Sequence, residues 1–240
     1  MKKTVILLFG GRSSEYEVSL SSAFGALENI DTEKYNVVKV GITHDGKFYL
    51  YEGENSLIPE NKWLAEGKCT PLSLDLEKGC FTAEDREIRP DAVLPMIHGK
   101  NCEDGTLQGM LTLMKIPVAG CGCTSSAVCM DKAFAKAIIN SETGINQAKA
   151  VVIRAEDYTP DTASSFREKC ERQLGYPVFV KPANAGSSVG VTKVKSAEDF
   201  DKAVKIALNE DEKVLVEEFI QGREIEVAVL EEHGKYYAAH

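Results

Sequence analysis

A lysine that closes an apolar run and is followed by glycines and serines is a pattern that can hold phosphate. The stretch Pro177–Gly190, PVFVKPANAGSSVG, has that form. Val178 to Lys181 reads as a buried strand, Ala183 to Ser188 as a loop of small residues, and Gly190 to Val194 as a returning strand. Backbone N–H groups and the hydroxyls of Ser187 and Ser188 in such a flap can surround a phosphate. Lys181 would set one cation beside it. The stretch is neither G-x-x-x-x-G-K-[ST] nor G-x-G-x-x-G, so by itself it reads equally as a mobile hairpin with a surface lysine. Downstream, VLVEEFIQGREIEV offers the backbone of Glu217, Glu218 and Ile220 to an adenine and the Glu224 carboxylate to ribose hydroxyls. Upstream, Glu15 follows a Gly-Gly turn, where a carboxylate can meet a ligand or simply suit the positive end of a helix.

The elements that must position these groups alternate between strand and helix. Thr4–Phe9 is a strand, and Ser14-Glu15-Tyr16-Glu17 has the S-x-x-E form of a capping box, which predicts a helix from Glu15 to Asn29. Asn36–Thr43 is a second strand, returned through the Asp45-Gly46 turn to Lys47–Tyr51. Residues 52–89 are polar and irregular, with weak pairing at Thr70–Leu76 and Cys80–Ile88. A buried strand at Asp91–Ile97 ends at His98, a helix follows over Thr106–Met114, and Ile116–Ala119 is a short strand. One helix is expected over Ser125–Ser141. Lys2–Gly120 thus reads as a doubly wound, Rossmann-like α/β domain whose ligand edge carries Ser13, Ser14 and Glu15. A small α+β lobe follows: strand Lys149–Ile153, helix Asp161–Leu174, the flap, and helix Ser196–Leu208. Val214–Ile220, Glu224–Leu230 and Lys235–Ala239 look like the opening of a further antiparallel sheet. The expected domains are residues 1–120, 121–212 and 213–240, with the last incomplete at His240.

Bulk properties narrow the partners. The chain has 240 residues, is 43% hydrophobic and carries a formal charge of −9, which fits a globular protein and argues against nucleic acid. No apolar run reaches the ~20 residues of a membrane span. The opening MKKTVILLFGG imitates a signal peptide but has no A-x-A-like cleavage site, so it is expected to be a first strand of a cytoplasmic protein. Seven cysteines, an odd number, point to reduced thiols. Cys121-Gly-Cys123 with Cys129 lacks a C-x-x-C pair, so these are expected to be small buried hydrophobes rather than metal ligands.

Together, GGRSSEYEVSLSS, HGKNCEDGTLQGML, CMDK, FVKPANAGSSVG and VLVEEFIQGREIEVAVL resemble, in order and spacing, the D-alanine–D-alanine ligases of the ATP-grasp superfamily. The resemblance covers essentially the whole chain and implies a pre-ATP-grasp domain, an ATP-grasp lobe and the start of a second. It implies that Glu15 binds the ammonium of a first D-alanine, with Ser187 joining it in a hydrogen-bonded group. Lys132 and Lys181 would contact ATP phosphates under Ser188 and the flap, Glu217, Glu218 and Ile220 would line adenine, and Glu224 would bind ribose. His98 would lie beside the reacting groups and Glu103 would hold neighbouring substrate-binding residues. Plainer readings remain: His98 as a satisfied strand-end histidine, Lys132 balancing a helix, and Glu103-Asp104 as a cap. The implied activity is ATP-dependent joining of D-alanine to D-alanine through a D-alanyl phosphate, for peptidoglycan precursors, with Mg2+ or Mn2+ and as a homodimer through the N-terminal domain. The vancomycin-resistance relatives that join D-serine or D-lactate resemble the chain as well, and a non-catalytic nucleotide- or amino-acid-binding module is the contrasting class. Cys102, Ala185 and Glu218 depart from the family pattern. The family's metal ligands, catalytic arginine and second-substrate loop are expected beyond His240, so the 240 residues alone are expected to be inactive.

Overall fold

Lys3–Gly10 (β1) is apolar on both faces because it is covered on both, and residues 6–9 are fully buried. The computed structural model describes residues 1–238. In it β1 lies parallel to Tyr35–Ile42 (β2), with Val5 opposite Val37. After α1 (Tyr16–Asn29) and β2, the chain turns through Asp45-Gly46 into Phe48–Tyr51 (β3), antiparallel to β2. A four-residue helix, α2 (Trp63–Glu66), precedes Cys69–Pro71 (β4), which extends the sheet. Ser73–Asp75 (β5), Cys80–Ala83 (β6) and Arg86–Ile88 (β7) form a separate antiparallel sheet. Ala92–Pro95 (β8) returns to lie parallel on the other side of β1, giving the order β4-β3-β2-β1-β8.

Alternation along β1 divides the core into two layers. Leu7 and Phe9 face α1, with Tyr16, Leu20, Tyr51, Ile58 and Trp63. Ile6 and Leu8 face the other way, with Phe81, Ile88 and the residues Leu107 and Leu111 of Thr106–Leu113 (α3). Elements on both faces of a largely parallel sheet bear out the doubly wound expectation. Among the described residues no helix is long and apolar enough to cross a membrane.

The second body is built around Ala150–Arg154 (β9), Val178–Pro182 (β10), Thr192–Val194 (β11) and Lys213–Glu218 (β12), in the order β11-β10-β12-β9 and antiparallel throughout. Ala163–Leu174 (α6) and Phe200–Leu208 (α7) pack on the face where Val178, Val180, Val214 and Val216 point. The preceding chain forms α4 (Cys123–Met130) and α5 (Lys132–Glu142). Val229–Glu232 (β13) and Lys235–Ala238 (β14) make an exposed hairpin.

Several local expectations are corrected. The helix expected over Ser125–Ser141 is two, parted at Asp131, whose extended backbone (ψ 104°) and side chain start α5 afresh. The capping box does not form: Glu15 itself occupies the N-cap of α1, and Ser13 Oγ accepts from the Glu15 N–H at 3.0 Å. Ile116–Ala119 makes only an isolated bridge, Val118 to Val93. The strand at Lys213–Glu218 does not open a further sheet; it sits between β10 and β9, so the small lobe extends past the expected boundary at residue 212. Residues 223–228 are not strand, and β13 begins only at Val229. Ala239, the end of the last expected strand, lies outside the described residues. Cys121, Cys123 and Cys129 are exposed, not buried, because α4 turns only Ser126 into the core.

Candidate active site

Glu15 lies where β1 ends, past two glycines that turn the chain at positive φ (84° at Gly10 and 104° at Gly11). The residue is only 7% exposed, and the loops of Gly99 and Gly186 close on its carboxylate. A Cβ on Gly99 would stand 2.3 Å from Glu15 Oε2, and one on Gly186 would stand 2.8 Å from the same oxygen. From the flap, Ser187 Oγ donates to Glu15 Oε1. The carboxylate of the first body and the flap of the second are therefore in contact. Ser187 and Ser188 both hold left-handed backbone, with φ of 45° and 59°. Such strain in non-glycine residues persists only where surroundings impose it, and it concentrates at ligand sites.

His98 follows β8 on the same edge. Its Nε2 is 2.9 Å from Ser22 Oγ of α1, and its Nδ1 is 3.4 Å from Glu103 Oε1. Both ring nitrogens are thus engaged, one by each flanking element. Glu103 thus touches His98, another of the residues singled out in the sequence, whereas the Ser22 contact carried no sequence signal. A cavity of about 410 Å³ opens beside this pair, lined by Cys102, Gln108, Cys121, Ser126 and Cys129.

The cations gather under the flap. Lys132 Nζ donates to the carbonyls of Ala183 (3.3 Å) and Ala185 (2.6 Å), so it already underlies the loop. Burial, and then the neighbouring Lys181 cation, lower the pKa of its ammonium. Alternation in β10 sends Val178 and Val180 to the core and Lys181 to the opposite face. There it meets Glu217 diagonally across the β10–β12 pair, and the two form an ion pair. Lys136, one helical turn after Lys132, holds the other oxygen of Glu217 at 2.7 Å. Burial alone would raise the Glu217 carboxyl; hydrogen bonds from Lys136 and Lys181 outweigh it and hold the pKa low. Lys132, Lys136 and Lys181 thus lie beneath a glycine/serine flap with Glu217 bridging the last two, a set of cations that can meet a polyphosphate.

Asp131 organises the base of this arrangement. Its Oδ1 accepts from the N–H groups of Ala133 (2.9 Å) and Phe134 (3.1 Å), capping α5. Its Oδ2 pairs with Lys213 of β12 and lies 3.4 Å from Asn184 Nδ2 at the root of the flap. Asn184 is held in turn by Asp211, which accepts from its backbone N–H at 2.8 Å and its amide at 2.9 Å. Lys136, Asp131, Asn184 and Asp211 were missed by sequence reading, although Lys136 stands at i+4 from Lys132 and was findable.

The remaining expected residues lie along and beyond β12. Glu218 accepts from the Lys149 N–H at 2.8 Å through its side chain and donates its own backbone N–H to the Lys149 carbonyl at 3.0 Å. Ile220 and Glu224 are exposed, in the irregular segment before β13. Ser188 sits in the flap, its carbonyl accepting from the Val191 N–H at 3.2 Å. Among the described residues no group of three or more His, Cys, Asp or Glu side chains is placed to hold a metal ion.

Known proteins share this fold and much of this sequence. A family model described as D-ala D-ala ligase N-terminus matches residues 4–121, and one described as D-ala D-ala ligase C-terminus matches residues 139–240. The D-alanine–D-alanine ligase of Thermoanaerobacter sp. (strain X514) is 44% identical over 233 residues, covering 95% of this chain and 64% of that protein. The crystal structure of VanG D-Ala:D-Ser ligase from Enterococcus faecalis superposes with a TM-score of 0.89 at 39% identity, covering 99% of this chain and 68% of that one. The D-alanine–D-alanine ligase structure from Coxiella burnetii gives a TM-score of 0.86 at 33% identity, over 99% of this chain and 69% of that one. The chain spans slightly less than two thirds of the length of the curated relatives it matches. With ATP-grasp architecture, both halves matched and solved relatives aligned over nearly its full length, the chain belongs to the D-alanine–D-alanine ligase family.

Proposed function

We propose that this chain forms the first-amino-acid and nucleotide-phosphate sites of an ATP-dependent ligase that joins D-alanine to a second D-alanine for peptidoglycan precursors. The observation that carries the reading is the Ser187–Glu15 hydrogen bond, which closes a lysine-backed phosphate flap onto a buried carboxylate. Glu15 binds the ammonium of D-alanine, so the carboxylate of that substrate points toward the flap. Lys132 and Lys181 draw the ATP phosphates to it, with Ser188 and the flap backbone above. Glu217, Glu218 and Ile220 offer adenine contacts, and Glu224 a ribose contact. The substrate carboxylate attacks the γ-phosphorus, ADP leaves, and an acyl phosphate forms. The second amine attacks its carbonyl carbon and phosphate departs, the amine losing a proton. His98, held by Ser22 and Glu103, lies at the edge where that amine enters. None of these steps needs a protein nucleophile. They need positioning, charge neutralisation and exclusion of water, which the closed flap supplies.

The likeness to a D-Ala:D-Ser ligase fits D-serine as the alternative second substrate, no better than the curated relatives fit D-alanine. The test is D-alanine-dependent phosphate release from ATP, with Mg2+ or Mn2+ supplied, by the protein expressed from its whole reading frame, with D-serine and D-lactate offered in competition. Glu15→Gln should lower release by at least ~100-fold, as expected for removing a charge-assisted contact used throughout the reaction. Unchanged release would overturn the assignment of Glu15, and no D-alanine dependence would favour a binding module. A homodimer formed through residues 1–120 belongs to the same proposal and is checked by sedimentation.

A further inference from the structure

Five of the seven cysteines fall between Cys80 and Cys129, and three of these surround one opening. Cys102, Cys121 and Cys129 line the cavity of about 410 Å³ that His98 and Glu103 also line. Cys102 is 3% exposed, and burial, then the Glu103 and Asp104 charges, push its thiol up to about 12. It is therefore unreactive. Cys121 and Cys129 are exposed and line the cavity, one two residues before α4 and one near its end. Cys123 provides an internal contrast. It too is exposed, but it does not line the cavity, and its Sγ is turned to the Gly105 carbonyl at 3.3 Å.

We propose that Cys121 and Cys129 are covalent modification sites for low-molecular-weight disulfides, and that an adduct on either fills the cavity beside His98. In the step, the cysteine thiol loses its proton to solvent and its sulfur attacks one sulfur of the disulfide. A Cys–S bond to that sulfur forms, the original S–S bond breaks, and the other half leaves as a thiolate. The cysteine is oxidised and the departing half reduced, so no further oxidant is required. A second thiol reverses the exchange. The adduct occupies the space between α4 and the His98–Glu103 pair, which is the approach to the edge where both substrates meet. The consequence for turnover rests on the function proposed above; filling of the cavity does not.

The experiment treats the 240-residue chain with oxidised glutathione and maps adducts by peptide mass spectrometry, while the His98 imidazole resonances are followed by NMR. Adducts should form on Cys121 and Cys129 well before Cys80, Cys102 and Cys170, and the His98 resonances should shift and return with dithiothreitol. Cys123→Ser should leave that shift intact, and C121S/C129S should remove it. The alanine pair C121A/C129A repeats the measurement should the serine variant fold poorly. Adducts without a His98 shift, or a shift that persists in the double variant, would overturn the proposal. In the protein from the whole reading frame, treatment should lower D-alanine-dependent phosphate release at least tenfold. Absence of release before treatment would count against the ligase reading, with the His98 shift still deciding this one.

Discussion

Glycine at residues 99 and 186 matters for what it leaves room for. Both give up a side chain to the Glu15 carboxylate, and Gly99 adds a left-handed backbone with φ of 71°. Gly99→Ala should therefore meet two penalties, left-handed strain of about 1–2 kcal/mol and overpacking of about 1–3 kcal/mol. Thermal unfolding should show a clearly lowered midpoint. Gly186→Ala has no φ penalty, so its effect should be local: the Ser187–Glu15 contact opens and amides 186–189 exchange about tenfold faster, equivalent to about 1.4 kcal/mol of opening. Unaltered exchange there would mean the flap is not seated by Glu15. From sequence type alone Glu15 read as a ligand group or a plain helix-start residue and the two serines as flap hydroxyls or a mobile hairpin; only the family resemblance implied roles for them. Their mutual contact could not be read, because it joins positions 172 apart.

At the scale of an element, the division of α4 from α5 decides where Lys132 stands. The apolar pattern runs through residues 125–141 without interruption, so periodicity predicts one helix. Asp131 before Lys-Ala-Phe is nevertheless a readable N-cap, and here the cap overrides the period. The place of β12 was not readable, since antiparallel neighbours are chosen by shape and register and not by local sequence. That same register makes the Lys181–Glu217–Lys136 cluster, which explains why its third member was missed. Asp131→Ala removes the cap and leaves Lys213 unpaired in a nearly buried setting, which should cost about 3 kcal/mol in urea unfolding. Asn at 131 keeps a cap and should cost less. Burial by itself would raise the Asp131 carboxyl, but hydrogen bonds from Lys213 and the α5 amides hold it low. A depressed carboxyl stabilises the fold above its unfolded-state pKa and loses that contribution as pH falls through the lowered value. The stability gap between wild type and D131A should thus be full above about pH 5 and narrow in acid. A gap independent of pH would mean that the charge of Asp131 contributes nothing.

For the whole molecule, the two bodies have separate cores, and the sole tryptophan, Trp63, lies in the first. Among the described residues few side-chain bonds cross between them: Ser187 to Glu15, Lys100 Nζ to the Glu210 carbonyl at 2.7 Å, and Cys123 Sγ of α4 to the Gly105 carbonyl at 3.3 Å. Urea unfolding followed by tryptophan fluorescence should report the first body alone, while far-ultraviolet circular dichroism sums both. The two curves should not coincide. Val204→Ala, in the buried face of α7, should shift the dichroism transition by about 1 kcal/mol or more and leave the fluorescence midpoint unmoved. Coincident curves would mean the bodies unfold as one. The α/β body and the flap-bearing lobe were legible as successive strand and helix patterns, whereas the third unit expected from residue 213 was not what formed, since β12 lies inside the sheet of the lobe. The sparse bridge between bodies was not legible, because it depends on how loops from each end up facing one another.

The glutamate–serine bridge also sets an order of events during folding. Each body can condense on its own nearby contacts, whereas this bond closes a loop of most of the chain and gains nothing until both its anchors exist. A ribosome releasing the polypeptide from its N-terminus would expose a finished Glu15 turn long before the serine that meets it. The site is therefore the last feature the chain completes and the first it surrenders. Loss of ligand binding on mild heating should precede any loss of helix or sheet.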